Sequence, residues 1–92
     1  MTYVVAYDVE DDRTRERIAK VLKGYGRRVQ ESVFECRLEA SELEELTSRL
    51  KRELKRPDRG QVRVYRVCSS CLQASFGMGE MKDVDGASCY IV

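Results

Sequence analysis

The stretch TYVVAYDV, residues 2–9, constrains this chain more than any other segment. Val4 and Ala6 can face one way while Tyr3, Val5 and Tyr7 face the other, so both faces are apolar. A strand of that kind belongs in the interior of a sheet. The apolar run stops abruptly at four carboxylates, Asp8, Glu10, Asp11 and Asp12. From Asp11 or Asp12, either of which suits a helix N-cap, Ile18, Val21, Leu22 and Tyr25 recur at the spacing of an amphipathic helix that Gly24 or Gly26 ends. Its other face carries Arg13, Arg17, Lys20 and Lys23.

The segment RRVQESVFECRLE alternates over a long span, with Val29, Val33 and Glu35 on one face and Phe34, Cys36 and Leu38 on the other, and predicts a second strand. Ser41 with Glu44 three residues on reads as a capping box, and Leu43, Leu46, Leu50 and Leu54 form the apolar stripe of a second helix that stops before Pro57. VRVYRV predicts a third strand and QASFGM a fourth. Taken directly, the order is β-α-β-α-β-β. A break within residues 26–38 converts it to β-α-β-β-α-β, the ferredoxin-like arrangement of an antiparallel four-stranded sheet with two helices on one face. ASCYIV at residues 87–92 is a further apolar strand that one small sheet has no place for, and it suits pairing with a partner's sheet. We expect a single α+β domain over residues 1–92, with its core in 1–78 and a C-terminal extension in 79–92.

At 92 residues the chain is near the lower end of what buries a self-sufficient core, which favours association with a second copy. An apolar fraction of 42% with 36% charged residues describes a soluble chain, and no stretch approaches the roughly 20 apolar residues of a membrane span. No basic segment precedes the first apolar run and no small-residue cleavage site follows it, so we expect no signal peptide and a cytoplasmic location. The net charge is only +1, yet two basic blocks, residues 13–28 and 49–66, alternate with acidic ones. Such blocks are either solvated helix faces or, taken together, a phosphate-binding surface.

Asp8 stands out because a carboxylate ending a central strand lies where loops meet the core. It can cap the following helix, a role that Asp11 and Asp12 fit better. One aspartate binds a metal poorly. A two-fold axis near the strand ends would bring together Asp8 from two chains, and Mg²⁺ is commonly held by one or two carboxylates with waters and substrate phosphate. The chain has no histidine, which removes the usual neutral-pH base and the commonest transition-metal ligand.

The run YDVEDDRTRERIAKVLKGYGRRVQESVFEC, with VRVYRV and the C-terminal strand beyond it, resembles the CRISPR-associated protein 2 family, the small dimeric component of spacer acquisition. The strand ending in Tyr7-Asp8, the regularly placed arginines, Tyr25-Gly26, Arg28, Gln30 and the Ser32 to Cys36 block carry the likeness. The resemblance implies a ferredoxin-like homodimer, with a bend in the second β segment and C-terminal strands added to the partner's sheet. It also implies an endonuclease on single-stranded RNA or duplex DNA that depends on Mg²⁺ or Mn²⁺. The alternative is a non-catalytic adaptor between the CRISPR integrase, CRISPR-associated protein 1, and protospacer DNA. By the same resemblance Asp8 is the metal-binding aspartate, and Tyr7, Arg15, Arg17, Arg28, Ser32 and Phe34 occupy positions implicated in activity. Phe34 and Tyr7 also suit the core.

Arg13, Lys20, Arg27, Arg49, Arg52, Lys55 and Arg56 are expected to contact nucleic-acid backbone. No motif for reading base edges is present, so little sequence preference and strong salt dependence follow. CysSerSerCys, residues 68–71, with Cys36 and Cys89, departs from the family pattern. It keeps open a zinc or redox binding module, with four reduced thiols as the plainer alternative.

Overall fold

A computed structural model of the chain describes residues 1–54 and 60–79. In order along the chain it contains β1 (Thr2–Val9), α1 (Asp12–Lys23), β2 (Gly26–Gln30), β3 (Val33–Arg37), α2 (Ala40–Glu53), β4 (Gly60–Val67) and α3 (Ser69–Ala74). The four strands form one sheet in the order β2-β3-β1-β4, and every neighbouring pair is antiparallel. With α1 and α2 packed together on one face, this is the ferredoxin-like α+β arrangement. None of the described helices is long and apolar enough to cross a membrane.

The burial pattern of β1 follows from its interior position. Tyr3, Val5, Tyr7 and Val9 face the helices and are buried, while Val4 and Ala6 are half-buried on the opposite, open face. Phe34 and Cys36 of β3 join the covered face, where Ile18 and Leu22 of α1 and Leu46 and Leu50 of α2 close over them. β1 therefore has hydrogen-bonded neighbours on both edges and contributes to the core along its whole length.

The long alternating segment is two strands rather than one. It folds back at Glu31 and Ser32, within the interval where the ferredoxin-like order requires a break. The register slips between Arg28 and Gln30, a bulge in β2 next to the turn. Gly26, at the start of β2, lies where β2 and β3 touch. A Cβ there would stand 2.2 Å from the Glu35 carbonyl oxygen and 2.6 Å from Cys36 Sγ, so only glycine fits without moving β3.

Helix α1 begins as its sequence indicates. The Asp11 carboxylate accepts hydrogen bonds from the Thr14 N–H at 2.9 Å and the Thr14 hydroxyl at 2.8 Å, and Gly24 ends the helix. Helix α2 differs from the expected Ser41–Glu44 cap. Its N-cap is Glu39, whose N–H donates to the Glu42 side chain at 2.8 Å. The deciding residue is Leu38, 3% exposed, which stands just before the N-cap and shares the core cluster with Leu43, four residues past it. That hydrophobic staple starts the helix two residues earlier than the Ser41 signal.

The expected strand QASFGM is a further correction. Its first two residues complete the short helix α3, and Ser75 leaves that helix in extended conformation. Cys68 caps α3, and Leu72 turns in toward Thr2 and Arg37. The fourth strand of the sheet comes instead from splitting the β2–β3 segment. ASCYIV, and with it the expected pairing with a partner's sheet, lies outside the described residues.

Candidate nucleic-acid and metal site

Strand parity fixes where Asp8 points. It pairs with Gln61 of β4 and shares a face with Val4 and Ala6, so its carboxylate is exposed on the open side of the sheet, opposite the helices. Arg63, paired with Ala6, is its diagonal neighbour on that face. Arg63 and Tyr65 lie two residues apart in β4, and the Arg63 guanidinium donates to the Tyr65 hydroxyl at 3.4 Å. The Arg63 position relative to Asp8 depends on the β1–β4 register, which the sequence does not carry.

The loop leaving Asp8 is held from behind. Arg15, in the second turn of α1, donates to the carbonyl of Val9 at 3.1 Å and to that of Glu10 at 3.2 Å, and its other terminal nitrogen is paired with Asp12. The Asp11 carboxyl is held below the usual aspartate range, chiefly by the Thr14 N–H and hydroxyl, with Arg17 and Arg13 adding attraction. Arg15 is thus committed to the backbone that carries Asp8, which is a positioning role. Asp11 belongs to the helix start.

Tyr7, Phe34, Arg28 and Ser32 form a second group on the covered face. The Tyr7 and Phe34 rings stack with centroids 6.4 Å apart and planes 28° from parallel. The Arg28 guanidinium lies 5.2 Å over the Phe34 ring. The Tyr7 hydroxyl donates to the Glu31 carbonyl at 3.3 Å, and the Tyr7 N–H donates to the Ser32 carbonyl at 3.1 Å. Phe34 is 0% exposed and Tyr7 6% exposed. Phe34 is packed in the core cluster, in keeping with the core placement that its sequence position also suits. The group braces the β2–β3 turn against β1, on the face opposite the Asp8 carboxylate.

The remaining cations are distributed rather than gathered. Arg13, Arg17 and Lys20 are exposed on α1, and Arg49 and Arg52 are exposed on α2. Arg49 lies 5.6 Å over the Tyr25 ring and donates to the Tyr25 hydroxyl, which also donates to Glu45, so it ties α2 to the end of α1. Arg27 is on the open face, 3.6 Å from Glu35. Lys55 and Arg56 lie outside the described residues. The structure therefore brings together Asp8 with Arg63 on the open face, and places Arg13, Arg17, Lys20, Arg49 and Arg52 on the helical layer.

Mg²⁺ and Mn²⁺ prefer hard oxygen donors, and the exposed Asp8 carboxylate is such a donor. Among the described residues no group of three or more His, Cys, Asp or Glu side chains could hold a metal ion. The donor chemistry fits, but one chain supplies only part of the set.

A ferredoxin-like sheet with one helical face, one open face and a carboxylate at the end of its central strand defines the class. Residues 1–74 match the family described as CRISPR associated protein Cas2. The chain belongs to that family. It is 46% identical over 71 residues to a CRISPR-associated endoribonuclease Cas2 of Chloroflexus aurantiacus, covering 77% of this chain and 76% of that protein. It is 44% identical over 85 residues to a CRISPR-associated endonuclease Cas2 of Thermus thermophilus, covering 89% and 91%. Among solved structures it is similar to a chain of a partial Cas6-RT-Cas1–Cas2 complex, with TM-score 0.71 and 26% identity over 92% of this chain and 91% of that one.

Proposed function

We propose that this protein acts in CRISPR adaptation as a homodimer that binds DNA or RNA, and that it hydrolyses phosphodiester bonds at a divalent-metal site to which each chain contributes Asp8. The observation that carries this reading is the exposed Asp8 carboxylate at the end of the central strand in a Cas2-family fold. Relatives named endoribonuclease and endonuclease support the reaction class.

Asp8 is the residue that would hold Mg²⁺ or Mn²⁺, with the second carboxylate coming from a second copy of the chain. When bound, such an ion neutralises phosphate charge and acidifies water, the two effects phosphodiester hydrolysis needs. The chain's own contribution is positional. Arg15 fixes the Val9 and Glu10 carbonyls, so the backbone following Asp8 has little freedom to carry the carboxylate away. Arg63 supplies positive charge on the same face, where a phosphate would otherwise meet Asp8 unscreened. The exposed cations of α1 and α2 add a sequence-independent attraction for nucleic-acid backbone.

Cleavage of labelled single-stranded RNA and duplex DNA against Mg²⁺ concentration, with wild-type and Asp8→Asn protein purified side by side, tests the proposal. Metal-dependent cutting that the variant loses supports it. Equal cutting by both, or none, overturns the hydrolytic part.

A second reading has its own support, since a structurally similar Cas2 chain is part of a complex with Cas1. In it the dimer bridges the integrase and DNA without cutting. Its mark is an Asp8→Asn protein that still assembles with Cas1 and DNA and supports spacer integration at the wild-type rate.

A further inference from the structure

Two of the cysteines occupy one exposed turn. Cys68 directly follows β4 and is the N-cap of α3, and Cys71 is the third residue of that helix. These are the two positions that a capping interaction draws together, because the N-cap side chain accepts the N–H of the third helical residue. Here the Cys71 N–H donates to Cys68 Sγ at 3.4 Å, and the Ser70 hydroxyl stands 3.3 Å from the same sulfur. The Cys71 backbone is thus bonded directly to the Cys68 sulfur, which keeps the two cysteines within one turn of each other. Both thiols are free and exposed, whereas Cys36 is buried in the core.

The contact makes the two sulfurs unequal. Hydrogen bonds from the Ser70 hydroxyl, and then from the Cys71 N–H and thiol, pull the Cys68 thiol down to about 7. The Cys71 thiol is pushed up, first because its proton is engaged by Cys68 and then by the neighbouring charge. Burial, with Glu35 beside it, pushes Cys36 up to about 11, which leaves it inert at neutral pH.

We propose that Cys68 and Cys71 form a thiol–disulfide pair, with Cys68 as the attacking sulfur, which a low-molecular-weight disulfide such as oxidised glutathione converts to an intramolecular disulfide. The Cys68 thiolate attacks one sulfur of glutathione disulfide, forming a mixed disulfide and releasing one glutathione thiolate. Cys71 then gives up its proton and attacks the Cys68 sulfur, which releases the second glutathione. Two electrons pass from the protein dithiol to the glutathione disulfide, and two molecules of reduced glutathione leave. Metal ligation is the weaker use of the pair. Two thiols are half of a tetrahedral set, the chain has no histidine, and no third metal-ligating side chain stands with them among the described residues.

The bond would join the end of β4 to the first turn of α3, whose Leu72 lines a groove with Thr2, Arg37 and Val67. Oxidation therefore fixes the direction in which the chain leaves the sheet. It acts at the opposite end of β1 from Asp8, so it is separable from the strand-end site.

The test uses the full-length reduced protein at pH 7, equilibrated across ratios of oxidised to reduced glutathione, quenched with acid, alkylated and weighed whole and as tryptic peptides. Both cysteines fall in the single tryptic peptide spanning residues 67–82. The expected result is loss of two hydrogens within that peptide, unchanged in Cys89→Ser. Cys71→Ser should stop at a glutathione adduct on Cys68, and Cys68→Ser should react about tenfold more slowly at the remaining thiol. A dithiol still reduced in excess glutathione disulfide would overturn the proposal. So would a crosslink to Cys89, equal rates for the two single variants, or stoichiometric zinc on the purified protein that protects both sulfurs.

Discussion

Arg15 and Val9 are joined by a hydrogen bond of 3.1 Å from guanidinium to carbonyl, six residues back along the chain, with a second bond to the next carbonyl at Glu10. A helix side chain thus ties down the loop that follows the exposed strand end. Arg15→Ala should lower unfolding free energy by about 1 kcal/mol, the scale of partly exposed hydrogen bonds, in urea denaturation followed by circular dichroism. Arg15→Lys should recover less than half of it, because an ammonium does not span two carbonyls and Asp12 in one fork. An Arg15→Ala protein with the wild-type midpoint would show that the loop holds itself.

Phe34 separates packing from base stacking. Phe34→Ala should cost about 3–5 kcal/mol, a large share of the stability of a domain this small. Phe34→Leu should cost less than about 1.5 kcal/mol and leave nucleic-acid affinity unchanged. A folded Leu variant with severalfold weaker binding of single-stranded RNA would return the ring to the binding surface.

Much of this arrangement is legible in the residues alone. The two apolar faces of TYVVAYDV place β1 inside the sheet, and Asp11 and Gly24 bound α1 as their chemistry dictates. The turn at Glu31 and Ser32 is harder to see, since the alternation of Arg28 with Phe34 continues across it and only the pairing of β2 with β3 reveals the fold-back. At α2 the Glu39–Glu42 capping box, with Leu38 buried just before it, outweighs the Ser41 signal. Phe76, expected in a strand, is instead 64% exposed beyond α3. The candidate site is half legible: the chemistry of Asp8 can be read from the sequence. Its face, the proximity of Arg63, and the engagement of Arg15 with its own backbone depend on register and on side-chain reach.

Asp11 gives a pH-dependent prediction. Its carboxyl is held below the ordinary aspartate value of 3.8, first by the Thr14 N–H, so its stabilising effect is complete at neutral pH and fades as pH falls through the lowered value. Asp11→Ala should therefore lower the thermal midpoint at pH 7, and the gap from wild type should close in acid. Asp11→Asn, which keeps the cap acceptor, should fall between them. A gap that persists unchanged below the aspartate range would contradict an ionised cap.

The exposed cations of the helical layer should act through phosphate. Arg17→Glu with Arg52→Glu should weaken binding of a labelled duplex and reduce the slope of log affinity against log salt by about 1 for each phosphate no longer neutralised. Arg27→Ala should do less, since that side chain is engaged with Glu35. An unchanged salt slope in the double variant would remove the helical layer from the binding surface.

The central claim is that two chains build one metal site from their Asp8 carboxylates. Mn²⁺ binding to the purified protein, titrated by electron paramagnetic resonance with chain mass measured in parallel, tests it most directly. The account predicts one tightly held ion for every two chains, abolished in Asp8→Asn without loss of the dimer. One ion per chain, or undiminished binding by the variant, would contradict it.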